Sequence, residues 1–251
     1  MYLSSLLIDV GSDPDRPRPG RLWLRNLYRV HQRLCMAFPT KDRRLRDKEF
    51  LQPYAPDDFA GVNVHAPRSE DGGFLFRLDP RPGISPVILV QSADLPAPDW
   101  DYAFHNARYL LAAPASVRTY RPQFYPNECF RFRLRANPTK RARRGSLHAC
   151  GQPMDARWVD KRIPVPASAL EDWLSRRAER AGFQIIALDQ ITTGYIYFNK
   201  MENRGNGHRL HSVLYEGQLR VTDPIRLVEA VRAGIGSGKA FGFGLLSVAR
   251  A

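Results

Sequence analysis

Apolar residues recur at helical spacing through Arg21–Phe38, RLWLRNLYRVHQRLCMAF. Leu27, Val30, Leu34 and Phe38 fall on one stripe that should face a core. The spacing predicts a single helix over 21–38, stopped by Pro39. Tyr28 and His31 lie three residues apart on the flank of the stripe, where helical side chains are neighbours. Elements of the other period surround it. Tyr2–Asp9 reads as a strand, ended by Gly11, Pro14, Pro17 and Pro19. Asp71-Gly72-Gly73 is a turn before a strand at Phe74–Leu78, and Pro86–Gln91 is a short apolar run suited to a buried strand. Asp99–Leu111 follows as a helix and Ser116–Tyr120 as a closing strand. Lys41–Lys48 reads as a solvated segment and Pro53–Pro67 as an insertion. The first half is β-α-β-β-α-β.

The same order recurs in the second half. Phe130–Leu134 alternates as a strand should. Ser168 and Glu171 form an S-x-x-E box opening a helix at Ala169–Ala181, which Gly182 closes. Phe183–Leu188 and Ile191–Phe198 read as strands. Leu210–Tyr215 and Gln218–Val221 read as a hairpin around Glu216-Gly217. Asp223-Pro224 starts a helix through Arg232, Gly234 ends it, and Phe241–Val248 is the last strand. Two split β-α-β units in tandem give an α+β fold with two ferredoxin-like (RRM-like) domains, expected at 1–124 and 125–251.

Charge changes the picture. In 251 residues, 38 Lys and Arg stand against 25 Asp and Glu, a net +13, which favours a polyanionic partner. A membrane is the weaker alternative, because no apolar run approaches the roughly 18 residues of a span. Met1-Tyr2-Leu3 has no basic region ahead of an apolar one, so no signal peptide is expected. Three scattered cysteines, Cys35, Cys129 and Cys150, suggest a reducing cytoplasm rather than a disulfide framework.

The cations concentrate in Phe130–Arg144, FRFRLRANPTKRARR. On a strand, Arg131, Arg133 and Arg135 share one face while Phe132 and Leu134 share the other. Lys140, Arg141, Arg143 and Arg144 follow in what reads as a loop, and Arg157, Lys161 and Arg162 extend the track. Seven cations between 131 and 144 with no acid among them call for an approaching polyanion, and guanidinium forks suit phosphate oxygens. A merely solvated edge strand is the plain alternative. The second binding signal is GIGSGKAFGFG, Gly234–Gly244. Glycines let backbone approach a ligand and aim N–H groups at an anion, so Gly234, Gly236, Ser237, Gly238 and Lys239 are candidates for holding an RNA phosphate or sugar. Neither a Walker A loop nor G-x-G-x-x-G fits this spacing. Metal chemistry has little support. His208 and His211 read as a polar loop, Asp9, Asp13 and Asp15 lack two-metal spacing, and no C-x-x-C is present, so no cofactor is expected. His148 in the basic loop reads as exposed.

These segments together resemble a known family. MYLSSLLID, LYRVHQRL, FRLRANPTKR, ALEDWLSRRAERAGF, VLYEGQLRVTDP and GIGSGKAFGFGLLSVA occur in the same order, end to end, as in the CasE family. These are the CRISPR-repeat endoribonucleases of type I-E (Cascade) systems. The resemblance implies two ferredoxin-like domains and metal-independent cutting of CRISPR precursor RNA at the 3′ base of a repeat hairpin. It also implies retention of the guide RNA and assembly with other Cascade subunits. The family's catalytic pair falls on Tyr28 and His31, its glycine-rich loop on Gly234–Gly244, and its basic strand and loop on Arg131–Arg144. Where the family often places a further basic residue past the histidine, this chain has Met36, leaving Arg33 or Lys239 for that role.

The expected reaction is attack of the RNA's own 2′-hydroxyl on the adjacent phosphorus, giving a 2′,3′-cyclic phosphate. A tethered nucleophile needs no activating ion. An imidazole titrates near neutrality and an ordinary phenol near ~10, so His31 is the better general catalyst, with acid and base roles left open. The competing expectation is an RNA-binding subunit that does not cut. A DNA-binding regulator has no clear helix-turn-helix to support it.

Overall fold

A computed structural model of the chain describes residues 1–11, 18–39, 73–93, 97–143, 145, 155, 159–198 and 208–250. Lys41–Lys48, the 53–67 insertion, Arg144, His148, Cys150 and Arg157 lie outside the described residues. Two compact units are present. Unit 1 comprises Met1–Pro122, Tyr197–Arg209 and Lys239–Gly242; unit 2 comprises Gln123–Ile196, Leu210–Gly238 and Phe243–Ala251.

Unit 1 is built on β1 (Tyr2–Leu7), β2 (Phe74–Asp79), β3 (Val87–Ser92) and β4 (Ser116–Thr119), in the order β2-β3-β1-β4. β1 runs antiparallel to both neighbours, with Ser4 opposite Val90 on one side and Val117 on the other. The stripe foreseen on the first helix is buried: Leu27, Val30, Leu34 and Phe38 are core residues of this unit, as are Leu6, Phe76, Ile88 and Val90 on its strands. The helix itself is broken in two, α1 (Pro19–Leu24) and α2 (Leu27–Cys35). Asn26 makes the break. Its backbone is extended and its side chain accepts the Tyr28 N–H at 3.1 Å, capping a new helix. The second helix, expected over 99–111, is only the turn α3 (Trp100–Ala103), followed by a 3₁₀ turn at Arg108–Leu110. Asp99 caps α3 as its position suggests. The helix stops at Phe104, and Arg33 donates to the Ala103 carbonyl at 3.0 Å, satisfying one of the acceptors that the helix end leaves without an intrahelical partner.

Unit 2 repeats the topology. β5 (Cys129–Ala136), β8 (Phe183–Phe198), β9 (His208–Val221) and β10 (Leu246–Arg250) are ordered β10-β5-β9-β8. This is the unit 1 order with the strands counted afresh, so both are ferredoxin-like. Helices α4 (Leu170–Arg180) and α5 (Pro224–Ala233) bury Trp173, Leu174, Leu227 and Val231. Asp223 caps α5, accepting from the Ile225 and Arg226 N–H groups at 3.1 Å, and Pro224 occupies the first turn. The Ser168–Glu171 box does not form. Ala167–Ala169 tighten into a 3₁₀ turn and Ala169 stands at the cap with no side-chain bond.

Two further expectations are corrected. The hairpin around Glu216-Gly217 is absent: β9 is one strand of 14 residues, as β8 is one of 16. Gly217 is there for close approach, since a Cβ on it would collide with the Ala187 carbonyl oxygen. The basic loop after β5 is instead a ribbon, β6 (Thr139–Arg141) against β7 (Arg162–Pro164), with Arg141 opposite Arg162. No helix of the described residues is long and apolar enough to cross a membrane.

Candidate active site and RNA-binding face

In unit 1, α2 sets out its flank from the Asn26 cap. Tyr28 and His31 are both half-buried. The Tyr28 ring lies 6.5 Å from Phe241, which itself packs on Phe198 at 4.2 Å. The His31 ring is stacked at 6.3 Å on Phe76, at an interplanar angle of 18°, and stands 5.3 Å from Phe74. Its Nε2 is 3.6 Å from the Cys35 thiol one turn on. The pair therefore has an aromatic wall that fixes the ring planes while leaving both residues partly open to solvent. Phe74 and Phe76 belong to β2, so the sheet, not the helix alone, orients the histidine.

The 3₁₀ turn Lys239–Phe241 belongs to the same unit. Gly242 ends it at φ +79°, and a Cβ there would meet the Phe76 ring at 3.2 Å. Lys239 is half-buried on this turn. Of the two cations proposed to accompany the pair, Arg33 is already committed to structure. It donates to the Ala103 carbonyl and to Asn106 Oδ1, each at 3.0 Å, and burial pulls its proton affinity down. Met36 is buried.

In unit 2, β5 divides its faces as its alternation requires. Phe130, Phe132, Leu134 and Ala136 are buried, while Arg131 is exposed and Arg133 and Arg135 are half-buried. The track is not free of acids. Glu216 lies opposite Arg133 in the register and accepts from its Nε at 2.6 Å. Asp160 accepts from Arg141 at 3.0 Å, with both side chains well exposed. Lys140, Arg143, Lys161 and Arg162 are exposed, and Arg162 donates to the Thr139 hydroxyl at 3.2 Å.

The glycine-rich segment divides between the units. Gly234, Gly236, Ser237 and Gly238 belong to unit 2, Lys239 to unit 1. Gly234, at φ +75°, ends α5. Ser237 bridges to Asn137, and a Cβ on Gly238 would meet the Phe243 ring at 2.9 Å. Several N–H groups that the sequence offers to a ligand are spent internally: Ile235 donates to Gly244, Gly242 to Lys239 and Gly244 to Arg135.

The remaining histidines correct one expectation. His208 and His211 are not in a loop but at the start of β9. His211 lies 5.7 Å from the Tyr195 ring, and burial lowers its pKa. Among the described residues no three or more His, Cys, Asp or Glu come together as metal ligands. Sequence reasoning missed Glu216, Thr139 and Cys35 as neighbours of site residues; only the spacing of Cys35 from His31, one helical turn, was visible beforehand.

Comparison with known proteins bears on this arrangement. Residues 1–250 match the family described as CRISPR associated protein. The chain is 35% identical over 259 residues to the CRISPR-associated endoribonuclease Cse3 of Thermus thermophilus, covering 99% of this chain and 100% of that protein. It is 26% identical over 253 residues to the CRISPR system Cascade subunit CasE of Escherichia coli, covering 99% of each. Thermus thermophilus Cse3 bound to an RNA representing a pre-cleavage complex has a similar structure, with TM-score 0.63, 30% identity and coverage of 99% of this chain and 98% of that one.

Proposed function

Because the chain belongs to the CasE family of CRISPR-associated proteins, we propose that it is a metal-independent endoribonuclease. It cuts CRISPR precursor RNA at the 3′ base of the repeat hairpin, keeps the mature guide RNA, and joins other Cascade subunits in the cytoplasm. The observation that carries the catalytic part is the Tyr28–His31 flank of α2, with His31 fixed against the β2 aromatics and Lys239 on the turn of the same unit.

The reaction needs three things. A base takes the proton of the ribose 2′-hydroxyl as its oxygen bonds to phosphorus. An acid returns a proton to the departing 5′-oxygen as the P–O5′ bond breaks. Positive charge offsets the charge gathering on the non-bridging oxygens. Tyr28 and His31 share the two proton transfers, each worth about 10²–10⁴-fold. Lys239 supplies the charge, since Arg33 is engaged elsewhere. The products are a 2′,3′-cyclic phosphate and a 5′-hydroxyl, and no water is consumed. Arg131, Arg133, Arg135, Lys140, Arg141, Arg143, Arg144, Arg157, Lys161 and Arg162 hold the stem, which in duplex RNA is recognised by shape and backbone.

The test is incubation with repeat hairpin RNA in EDTA, with the product ends mapped. Cutting persists in EDTA. A substrate carrying 2′-deoxy at the scissile nucleotide binds and stays whole. His31→Ala loses cutting by at least ~10²-fold while binding changes little. Cleavage of the deoxy substrate sinks the mechanism; equal loss of binding and cutting in His31→Ala makes the histidine structural and leaves an RNA-binding subunit.

A further inference from the structure

Unit 2 holds a second convergence of cations, on α4, that neither the β5 strand nor the β6–β7 ribbon accounts for. Arg176, Arg177 and Arg180 lie on its last turns. Arg176 and Arg180 are exposed and Arg177 is half-buried. The Arg177 guanidinium is held 5.6 Å from the centroid of the Trp173 ring. Trp173 is itself fixed. It stacks on Tyr215 at 6.2 Å and 12°, and Tyr215 in turn donates its hydroxyl to the Leu170 carbonyl at 3.2 Å.

The glycine-rich segment meets this floor. A Cβ on Gly236 would stand 3.3 Å from the Trp173 ring, so the backbone there packs directly on the indole. The next residue, Ser237, places its hydroxyl 3.5 Å from that of Thr139, and Thr139 accepts from Arg162 at 3.2 Å. Arg177, Trp173, Gly236, Ser237, Thr139 and Arg162 thus form one chain of neighbours within a single unit. Burial, and after it the like charges of Arg180, Arg162 and Arg176, pull the proton affinity of Arg177 down. An arginine pinned on an aromatic face among like charges has its fork preorganised, and an arriving anion relieves the repulsion.

We infer that Arg177 and Arg162, floored by Trp173 and flanked by the Thr139 and Ser237 hydroxyls, bind one backbone phosphate of the RNA strand passing the glycine-rich segment. The inference rests on the RNA-processing function proposed above. It extends the phosphate track beyond the β6–β7 ribbon onto α4 and assigns Arg177 to it.

The experiment measures affinity for repeat hairpin RNA carrying 2′-deoxy at the scissile nucleotide, across a salt series. Arg162→Gln, Arg177→Gln and the double variant are compared with wild type and with Arg226→Gln, an exposed arginine paired with Asp223 on α5. The double variant should bind about tenfold more weakly, and its slope of log K against log salt should shrink by about 0.7–0.9, the signature of one lost phosphate contact. Arg177→Lys should keep the slope and lose affinity, because a lysine keeps the charge without the fork. Arg162 is exposed, so its variant reads the site even where Arg177→Gln disturbs the Trp173 packing. If wild type binds and both Arg162→Gln and the double variant match it in affinity and slope, the subsite is wrong and the wider function stands. If wild type binds no hairpin RNA, the functional reading fails and takes the subsite with it.

Discussion

The two units share one topology and spend it differently. In unit 1, β2 and β3 have 6 residues each and the second helix is a single turn. In the second sheet, the corresponding strands run to 16 and 14 residues and both accompanying helices are complete. Unit 1 surrounds Tyr28 and His31, the two side chains proposed to transfer protons, with aromatic rings. Unit 2 lines a strand, a ribbon and a helix with guanidinium groups. A ferredoxin-like sheet therefore carries no activity of its own; what each copy does follows from the few side chains set on it. The division is physically sensible. Proton transfer needs rings held in fixed planes, which packing supplies, while grip on a polyanion needs charge spread over a surface and tolerates exposure.

The sharpest way to break this division is to remove one oxygen. Tyr28→Phe keeps the ring against Phe241 and deletes the proton the phenol can give. Cutting should fall about 10²–10⁴-fold, with binding of the 2′-deoxy hairpin within about twofold of wild type. Single-turnover kinetics and fluorescence anisotropy check the two halves. A Phe variant that cuts at the normal rate removes Tyr28 from the chemistry and leaves His31 to find another partner.

A gentler comparison uses the same kind of contact in each unit. Asn26 caps α2 in unit 1, and Asp223 caps α5 in unit 2. Replacing either by Ala should cost about 1 kcal/mol of stability, read by chemical denaturation. Only Asn26→Ala should slow cutting as well, because the turn it frays carries Tyr28. Equal activity in the two variants would mean that the first turn of α2 is held by its packing and not by its cap.

The sequence was most legible where a side chain's environment is decided by its own neighbours. The alternation of β5, the buried stripe of α2 and the Asp223-Pro224 start of α5 are all local signals. It was least legible where a distant atom decides. The break at Asn26 is hidden by an apolar run that continues across it from Trp23 and Leu24. Gly217 looks like a turn residue until the β8 backbone is seen lying against it. The short helix after Asp99 has a carbonyl at its end taken up by a guanidinium from Arg33, about seventy residues earlier. Three-residue strands such as β6 and β7 are too short to show a period at all. At the candidate site, the pairing of Arg133 with Glu216 spans 83 residues and depends on strand register, which one strand cannot reveal.

That pairing gives the smallest and most discriminating test of the unit 2 surface. Glu216 is the acid set opposite the middle of the arginine row, and the Arg133 side chain stays 43% exposed despite it. A half-buried pair that keeps contact with solvent adds on the order of 1 kcal/mol to stability, so Glu216→Gln should leave the fold intact. Its effect on RNA should be favourable. Deleting one negative charge about 7 Å from a phosphate, in surroundings screened like water, is worth about 0.6 kcal/mol, or about threefold in affinity at low salt. The gain should fade as salt rises, because screening removes the repulsion being relieved. A loss of affinity instead would mean that Glu216 aims the Arg133 fork, and that the row grips RNA by geometry more than by charge. Either sign is readable in one salt titration, and cutting at saturating RNA should not change in the first case, since no atom of the Tyr28–His31 pair is touched.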